Sequence, residues 1–196
     1  MSKSATVAER PMRADARRNY ERILDVARET FRELGAEAPM DEIARRAQVG
    51  PGTLYRHFPT REDLLAGALH RDMTALIERA DALSSAPSAG AALTEWLRAF
   101  VTHVNVFRGL SASVCNAIRD PESPLHLPCE SMVEAGGNLL VNAQAEGSVR
   151  PDLTAEELFI MANALSWAVD QAGADALRAE RFLELLTDTL APRPAR

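Results

Sequence analysis

The sequence predicts an all-α protein, and three observations support this fold class. Apolar residues recur at steps of three and four along most of the chain, which is the spacing of one helical face. The alternation of β-branched or aromatic residues with polar ones, which is typical of strands, is absent from the sequence. Capping and turn residues divide the periodic pattern into about nine segments. With 196 residues, the chain is long enough to bury a core without disulfides or structural metals.

The N-terminal third predicts one long helix followed by two short ones. The long helix covers about residues 15–34 and ends at Gly35. Its apolar face comprises Tyr20, Ile23, Leu24, Ala27, Phe31 and Leu34. The short helices cover residues 40–47 and 51–57, and a tight turn joins them. We assign residues 1–14 to a flexible N-terminal arm and residues 15–62 to a three-helix bundle.

A long fourth helix opens a second and larger unit. Thr60 and Asp63 have the spacing of a capping box, and the apolar pattern then continues to about Leu83. Residues 84–90 read Ser-Ser-Ala-Pro-Ser-Ala-Gly, which is typical of a linker. We assign residues 63–190 to this second unit.

The second unit contains five further predicted helices. They lie near residues 91–107, 110–118, 123–145, 154–172 and 175–190. Thr154 and Glu157 form another capping box at the start of the fourth of these helices. Residues 191–196 are expected to be a frayed tail.

The net charge of −6 is unevenly distributed along the chain. Residues 1–71 include 13 basic and 11 acidic residues and the remainder has 9 and 17, so the two parts carry +2 and −8. An acidic chain does not coat nucleic acid through bulk charge, but this distribution leaves room for a local basic face. Because no apolar run reaches the roughly 18 residues of a membrane helix, we expect a cytoplasmic protein without a membrane partner.

Catalytic, metal and cofactor sites find no support in residue spacing. Cys115 and Cys129 form no CxxC pair, and the histidines show no His-x-x-x-His pattern. His57 has no nucleophile close to it in the sequence, so a role as a catalytic base is disfavoured. We therefore expect no enzyme activity, no cofactor and no metal.

The segment from Asp41 to Leu65 contains the motif that bears on function. Two short helices that are joined by a tight turn and packed on a longer helix form a helix-turn-helix, whose second helix fits the major groove of DNA. The segment includes Gly52-Thr53-Leu54-Tyr55-Arg56-His57-Phe58 and Glu62-Asp63-Leu64-Leu65. It resembles the signature of tetracycline-repressor-like (TetR-type) regulators, closely over residues 17–69 and beyond them only in the pattern of helices. The resemblance implies a DNA-binding transcriptional regulator.

The same resemblance implies DNA contacts from Gly52, Thr53, Tyr55, His57 and Arg61. Gly50 and Pro51 suit the cap and the first position of a helix and would present backbone N–H groups to a phosphate. Arg56 has the donor geometry to bind a guanine or a phosphate. A cation at Arg61 lies in the first turn of a helix, where it needs an anion to compensate the helix dipole, and a DNA phosphate would supply one.

Arginines outside the second short helix have two interpretations. Arg45 and Arg46 either contact DNA or belong to a solvated face. Four arginines near the N-terminus either lie along DNA as an arm or form a solvated tail, and these are Arg10, Arg13, Arg17 and Arg18. Both pairs of alternatives stay open.

The second unit is predicted to bind an effector and to form a dimer. Its candidate pocket residues are Trp96, Phe100, His103, Phe107, Met132, Asn163 and Trp167. They mix large apolar groups with a few polar ones, as ligand cavities in helical bundles do, although an ordinary core has the same mixture. The last two helices are apolar over more than one stripe, which predicts a dimer seam about a two-fold axis.

Together these features predict a homodimeric repressor that binds a near-palindromic DNA operator and is released by a small molecule. Two other classes remain as alternatives. One is a helical adaptor that binds only proteins, and the other is a small helical enzyme.

Overall fold

The computed structural model describes residues 9–173 and 176–192, and these residues form nine helices and no strands. The helices are α1 (Glu9–Leu34), α2 (Met40–Arg46), α3 (Pro51–His57), α4 (Arg61–Leu83), α5 (Ala89–Val106), α6 (Leu110–Arg119), α7 (His126–Glu146), α8 (Ala155–Gln171) and α9 (Ala176–Leu190). The all-α prediction is confirmed. Residues 1–8 of the predicted arm, the side chains of Arg10 and Arg13, and residues 193–196 of the predicted tail lie outside the described part.

Helix α1 begins earlier than the sequence predicts. It starts at Glu9 and not near residue 15. Pro11 falls in the first helical turn, where an amide N–H has no partner within the helix, so its missing N–H does not end the helix. A proline close to a predicted boundary is therefore compatible with a longer helix.

The first three helices form a small head around a shared apolar core. Ile23 and Phe31 of α1, Ile43 of α2 and Leu54 of α3 are all fully buried. The guanidinium of Arg22 on α1 donates to the carbonyl oxygen at the C-terminal end of α2, with 2.9 Å between Nε and that oxygen. This packing fixes the orientation of α2 and α3 relative to α1.

Helix α4 connects the head to the second unit, which we call the body. It begins with the predicted capping box, in which the Asp63 carboxylate accepts from the Thr60 N–H at 2.9 Å and the Thr60 hydroxyl accepts from the Asp63 N–H at 3.1 Å. The helix packs against α1 on the head side and against α5 and α7 in the body. A bidentate ion pair, with both distances 2.8 Å, joins Arg28 of α1 to Asp72 of α4.

The body is a bundle of the remaining helices around Trp96 of α5. The Trp96 side chain is 1% exposed, stacks on Phe100 at a centroid distance of 5.8 Å and donates from Nε1 to the Leu76 carbonyl of α4 at 3.0 Å. Gly136 of α7 leaves room for this ring, because a Cβ there would lie 2.6 Å from it. Within the described ranges, no helix is long and apolar enough to cross a membrane.

A second junction between head and body involves backbone atoms. The N–H of Ala36, in the turn after α1, donates to the carbonyl of Arg108, in the turn between α5 and α6, at 2.8 Å. Gly35 has a φ of +90°, and a Cβ at this position would lie 2.9 Å from the same carbonyl oxygen. The next turn residue, Gly109, donates its N–H to the Asp170 carboxylate of α8 at 3.1 Å. The turn between α5 and α6 therefore contacts both the head and α8.

The turn between α2 and α3 contains a strained residue. Gln48 has a φ of +54°, in the left-handed backbone region that residues other than Gly, Asn and Asp rarely adopt. Its side chain is exposed. The backbone conformation is therefore imposed by the turn and not by packing of the glutamine.

We expect the substitution Gln48→Gly to stabilise the protein by about 1 kcal/mol, because glycine adopts the left-handed conformation without a Cβ penalty. Thermal unfolding measures the change. Gln48→Ala is the matched control, since it removes the side chain but keeps the Cβ. Equal melting temperatures for the two variants would show that φ strain is not the cause.

Candidate nucleic-acid interface

Helix α3 separates an inner face from an outer face. Leu54 and Phe58 are 0% and 3% exposed and pack into the head. Tyr55 is 45% exposed and Arg56 is also exposed. The helix thus presents a large aromatic group and a cation to solvent while its apolar residues anchor it.

The first turn of α3 is closed within the chain. Gly50 is the N-cap and Pro51 is the first helical residue, as predicted. The N–H groups of Thr53 and Leu54 donate to the Gly50 carbonyl at 2.9 and 3.2 Å. This turn therefore has fewer free N–H groups for a phosphate than the sequence predicts, because the cap residue turns its carbonyl into the helix.

Gly52 is an exposed glycine that the packing of the protein does not require. A Cβ at this position would meet no atom within 4 Å. Glycine lowers helix stability relative to alanine, and no internal contact offsets this cost here. A surface that must approach another backbone closely would account for it.

The outward polar side chains of α3 differ in how firmly they are held. Within the described part of the chain, Thr53, Tyr55 and Arg56 make no side-chain hydrogen bond or ion pair, so they are free to bind a partner. His57 is half-buried and packs edge-on against Tyr20 of α1, with 5.8 Å between ring centroids. The histidine is therefore pre-oriented by α1, whereas the other three side chains remain adaptable.

Arg45 and Arg46 on α2 are paired with acidic residues. Glu42 accepts hydrogen bonds from both, at 2.7 Å, and these bonds lower the pKa of Glu42 to about 2. Arg46 also pairs with Glu33 of α1 and is only half-exposed, while the Arg45 side chain is 72% exposed. Arg45 is thus the more accessible of the two, and Arg46 connects α2 to α1.

Arg61 already has an anion within the chain. Its guanidinium pairs with the Glu37 carboxylate, which lies in the turn between α1 and α2. The argument that a cation in this helical turn needs an external anion is therefore wrong for this chain. The sequence did not reveal the pair, because Glu37 lies 24 positions away from Arg61. The Nε atom of Arg61 is buried and has no hydrogen-bond partner.

Comparisons with known proteins agree with this geometry. Residues 23–68 match the family model described as bacterial regulatory proteins, tetR family, and residues 88–192 match the C-terminal domain of SbtR-like transcriptional regulators. The second match covers more than half of the chain. The chain belongs to the TetR family.

Individual TetR-family relatives support the assignment. A TetR transcription regulatory protein from Mycobacterium vanbaalenii is 35% identical, with a TM-score of 0.53 over 92% of this chain and 99% of that one. A TetR transcriptional regulator from Streptomyces coelicolor is 29% identical, with a TM-score of 0.58 over 89% and 99%. An HTH-type transcriptional regulator of Staphylococcus aureus strain USA300 is 42% identical over 67 residues, which are 34% of this chain and 36% of that relative. This chain thus matches only about a third of the length of the Staphylococcus aureus relative.

The predicted pocket residues of the TetR-family body lie in different surroundings. Four of the apolar candidates are at most 2% exposed and pack in the core, namely Trp96, Phe100, Phe107 and Met132. Trp167 is 54% exposed on the outer face of α8. Trp167 therefore lies on the surface and not in the core with the other apolar candidates. The pattern of apolar residues in the sequence does not distinguish a core position from a surface position.

Asn163 and His103 are the polar members of the predicted pocket. Asn163 is fully buried and donates from Nδ2 to the Ser111 carbonyl at 2.9 Å, while its Oδ1 has no partner. The Ser111 hydroxyl is also buried without a partner. Burial lowers the pKa of His103, and its Nε2 has no hydrogen-bond partner. Sequence reasoning missed Ser111, because a serine within a helix is equally compatible with a bond to its own backbone.

We expect Gly52→Ala to raise stability and to weaken DNA binding. Alanine meets no neighbour and restores about 0.5 kcal/mol of helix stability, whereas its methyl group stands on the outer surface of α3. Thermal unfolding and titration with duplex DNA selected from a random pool measure the two effects.

The matched control is Thr102→Ala at an exposed position of α5. It also improves helix propensity but lies outside the head. Undiminished DNA affinity in Gly52→Ala would remove Gly52 from the contact surface.

Proposed function

We propose that the protein is a homodimeric transcriptional repressor that binds a near-palindromic DNA operator and is released by a small molecule. The observation that carries the proposal is the outer face of α3, where Thr53, Tyr55 and Arg56 are presented without partners in the described part of the chain. These are hydroxyl and guanidinium donors suited to base edges and phosphates. The TetR-family helix-turn-helix supports the same conclusion.

Dimerisation is supported by an apolar stripe on α8. Ile160 and Trp167 are 44% and 54% exposed and lie seven positions apart, which places them on one helical face with the exposed Ala164 between them. Leu185 of α9 is 46% exposed as well. A two-fold axis would bring such stripes from two subunits into contact and remove them from water.

A two-fold dimer implies a particular DNA geometry. Each α3 would enter a major groove, with the two half-sites about one helical turn, roughly 34 Å, or a multiple of it apart. A protein with this role acts where the bacterial chromosome lies, so we place it in the cytoplasm. The acidic body would be repelled by the duplex, which favours contact through the head alone.

Release by a small molecule requires a connection between body and head. Helix α4 provides one, since Asp72 on it is joined to Arg28 of α1. Burial of Asp72 is the largest single influence and opposes its ionisation, but the hydrogen bonds and positive charge of Arg28, together with the nearby His103 and Arg32, hold the pKa of Asp72 below its usual value. A ligand that binds better to the state with displaced heads would lower DNA affinity through a coupling of about 1–3 kcal/mol.

The buried polar atoms beside α6 and α8 support a ligand-responsive body. Asn163 Oδ1 and Ser111 Oγ lack partners inside the bundle, and buried polar atoms are normally bonded. A bound polar molecule would satisfy them after local opening. We propose binding and no catalysis, and within the described ranges no group of three or more His, Cys, Asp or Glu is placed to hold a metal.

Selection from a random pool of DNA duplexes is expected to return a near-palindromic sequence. Arg56→Ala and Tyr55→Ala should each weaken its binding about tenfold or more, because each removes a group that binds bases or phosphates. Equilibrium titrations at several salt concentrations measure the affinity, and Arg56→Ala should also reduce the salt dependence.

Arg119→Ala provides the control for this experiment, since Arg119 is an exposed arginine at the end of α6 in the body. It should leave the affinity unchanged. Operator binding that survives Arg56→Ala and Tyr55→Ala would favour the protein-binding adaptor instead.

Trp167→Glu is expected to weaken dimerisation by at least about tenfold, because a carboxylate would have to be buried in the apolar seam. Sedimentation velocity over a range of protein concentrations measures the dissociation. Leu127→Glu is the matched control, since Leu127 is 71% exposed but lies on α7. A dimer that resists Trp167→Glu would place the seam elsewhere.

A further inference from the structure

A cavity of about 750 Å³ opens to solvent between α6, α7 and the start of α8. Its apolar wall includes Ile118, Val133 and Val141, of which Val141 is 61% exposed. Cys129 lies in the same wall, where burial raises the pKa of its thiol to about 12, so the thiol is neutral. The volume falls in the range of sites that hold drug-sized molecules.

The polar lining of this cavity is acidic. Glu130, Glu134 and Glu156 line it, and no lysine or arginine is among the described residues of its lining. Glu134 and Glu156 make no ion pair or hydrogen bond with another described residue. Glu130 lies near His126, with 3.6 Å between the histidine Nε2 and a carboxylate oxygen, and this contact is an ion pair only when the histidine is protonated.

His126 adds an acceptor to the same wall. Its Nδ1 lies 2.7 Å from the Ala117 carbonyl, and this contact requires a hydrogen on Nδ1. In the neutral ring, Nε2 therefore has a lone pair and no hydrogen. When the ring is neutral, the histidine and the three glutamates together offer acceptors, and the described lining carries no fixed positive charge.

We propose that this cavity binds an organic cation with an apolar body. The ammonium group would lie among the carboxylates, where charge attraction is favourable, and the apolar body would cover the wall formed by α6 and α7. The carboxylates would repel an anionic ligand. A neutral apolar ligand would displace water from the carboxylates without replacing the hydrogen bonds that the water makes to them. A compact metal ion would leave the apolar wall uncovered. If the cation is the effector, that role rests on the proposed function, whereas binding itself does not.

Binding is tested by isothermal titration calorimetry of the full chain with benzyltrimethylammonium at low ionic strength. The neutral isostere is neopentylbenzene, in which carbon replaces nitrogen. We expect saturable binding of the cation, weakening with added salt, and at least about tenfold weaker binding of the isostere. Absence of cation binding, or equal binding of both probes, would overturn the proposal.

Variants locate the binding site. Combined Glu134→Gln and Glu156→Gln should weaken cation binding about tenfold or more, and Asn138→Arg, which places a positive charge on the exposed lining, should abolish it. Glu78→Gln on α4 is the matched control, because this exposed glutamate lies outside the cavity. Cation affinity that is unchanged in the double variant would overturn the assignment. The assignment would also fail if the chain bound no cation and these variants instead lost dimerisation, because the cavity would then be occupied by a second copy of the chain.

Operator titrations separate this proposal from the proposed function. A chain that binds the cation at this cavity but selects no DNA would support the cavity and contradict the repressor. A chain that selects a palindrome but binds no cation would support the repressor and contradict the cation site.

Discussion

A helix of seven residues is not stable alone in water, so the outer face of α3 depends on the apolar core beneath it. Leu54 and Phe58 anchor the helix from below, and Ile43 and Phe31 complete the core. Stacking of Tyr20 on Phe58, at 5.1 Å between centroids, extends that core to the edge where His57 lies. Every outward contact of α3 is therefore placed by inward packing, and its free side chains need no other support.

Much of the fold follows from local chemistry that the sequence displays. The capping boxes at Thr60 and Thr154 and the positions of α2 and α3 were predictable, because each depends on residues within a few positions of one another. The exposed face of α3 was predictable for the same reason, since a seven-residue helix with a buried Leu54 has to expose Tyr55 and Arg56.

The remainder depends on tertiary contacts between residues that are far apart in the sequence. Glu37 pairs with Arg61 and Glu33 with Arg46, and no spacing rule connects these residues. Trp167 and Trp96 occur in similar helical patterns, yet one ring is exposed and the other is buried. Which apolar stripe becomes core and which becomes surface is decided only when the helices assemble. The same holds for the acidic cavity, where residues of three helices meet.

The backbone hydrogen bond between Ala36 and Arg108 affects how the two units tolerate sequence change. It uses an amide and a carbonyl, which every residue except proline supplies in full. Substitution of the Arg108 side chain would leave this junction intact, whereas a side chain at Gly35 would not fit beside it. The body can therefore accumulate new side chains, and with them new chemical preferences, while the head remains docked in the same place. The position of the head on the body is thus independent of the side chains that the body carries at this turn.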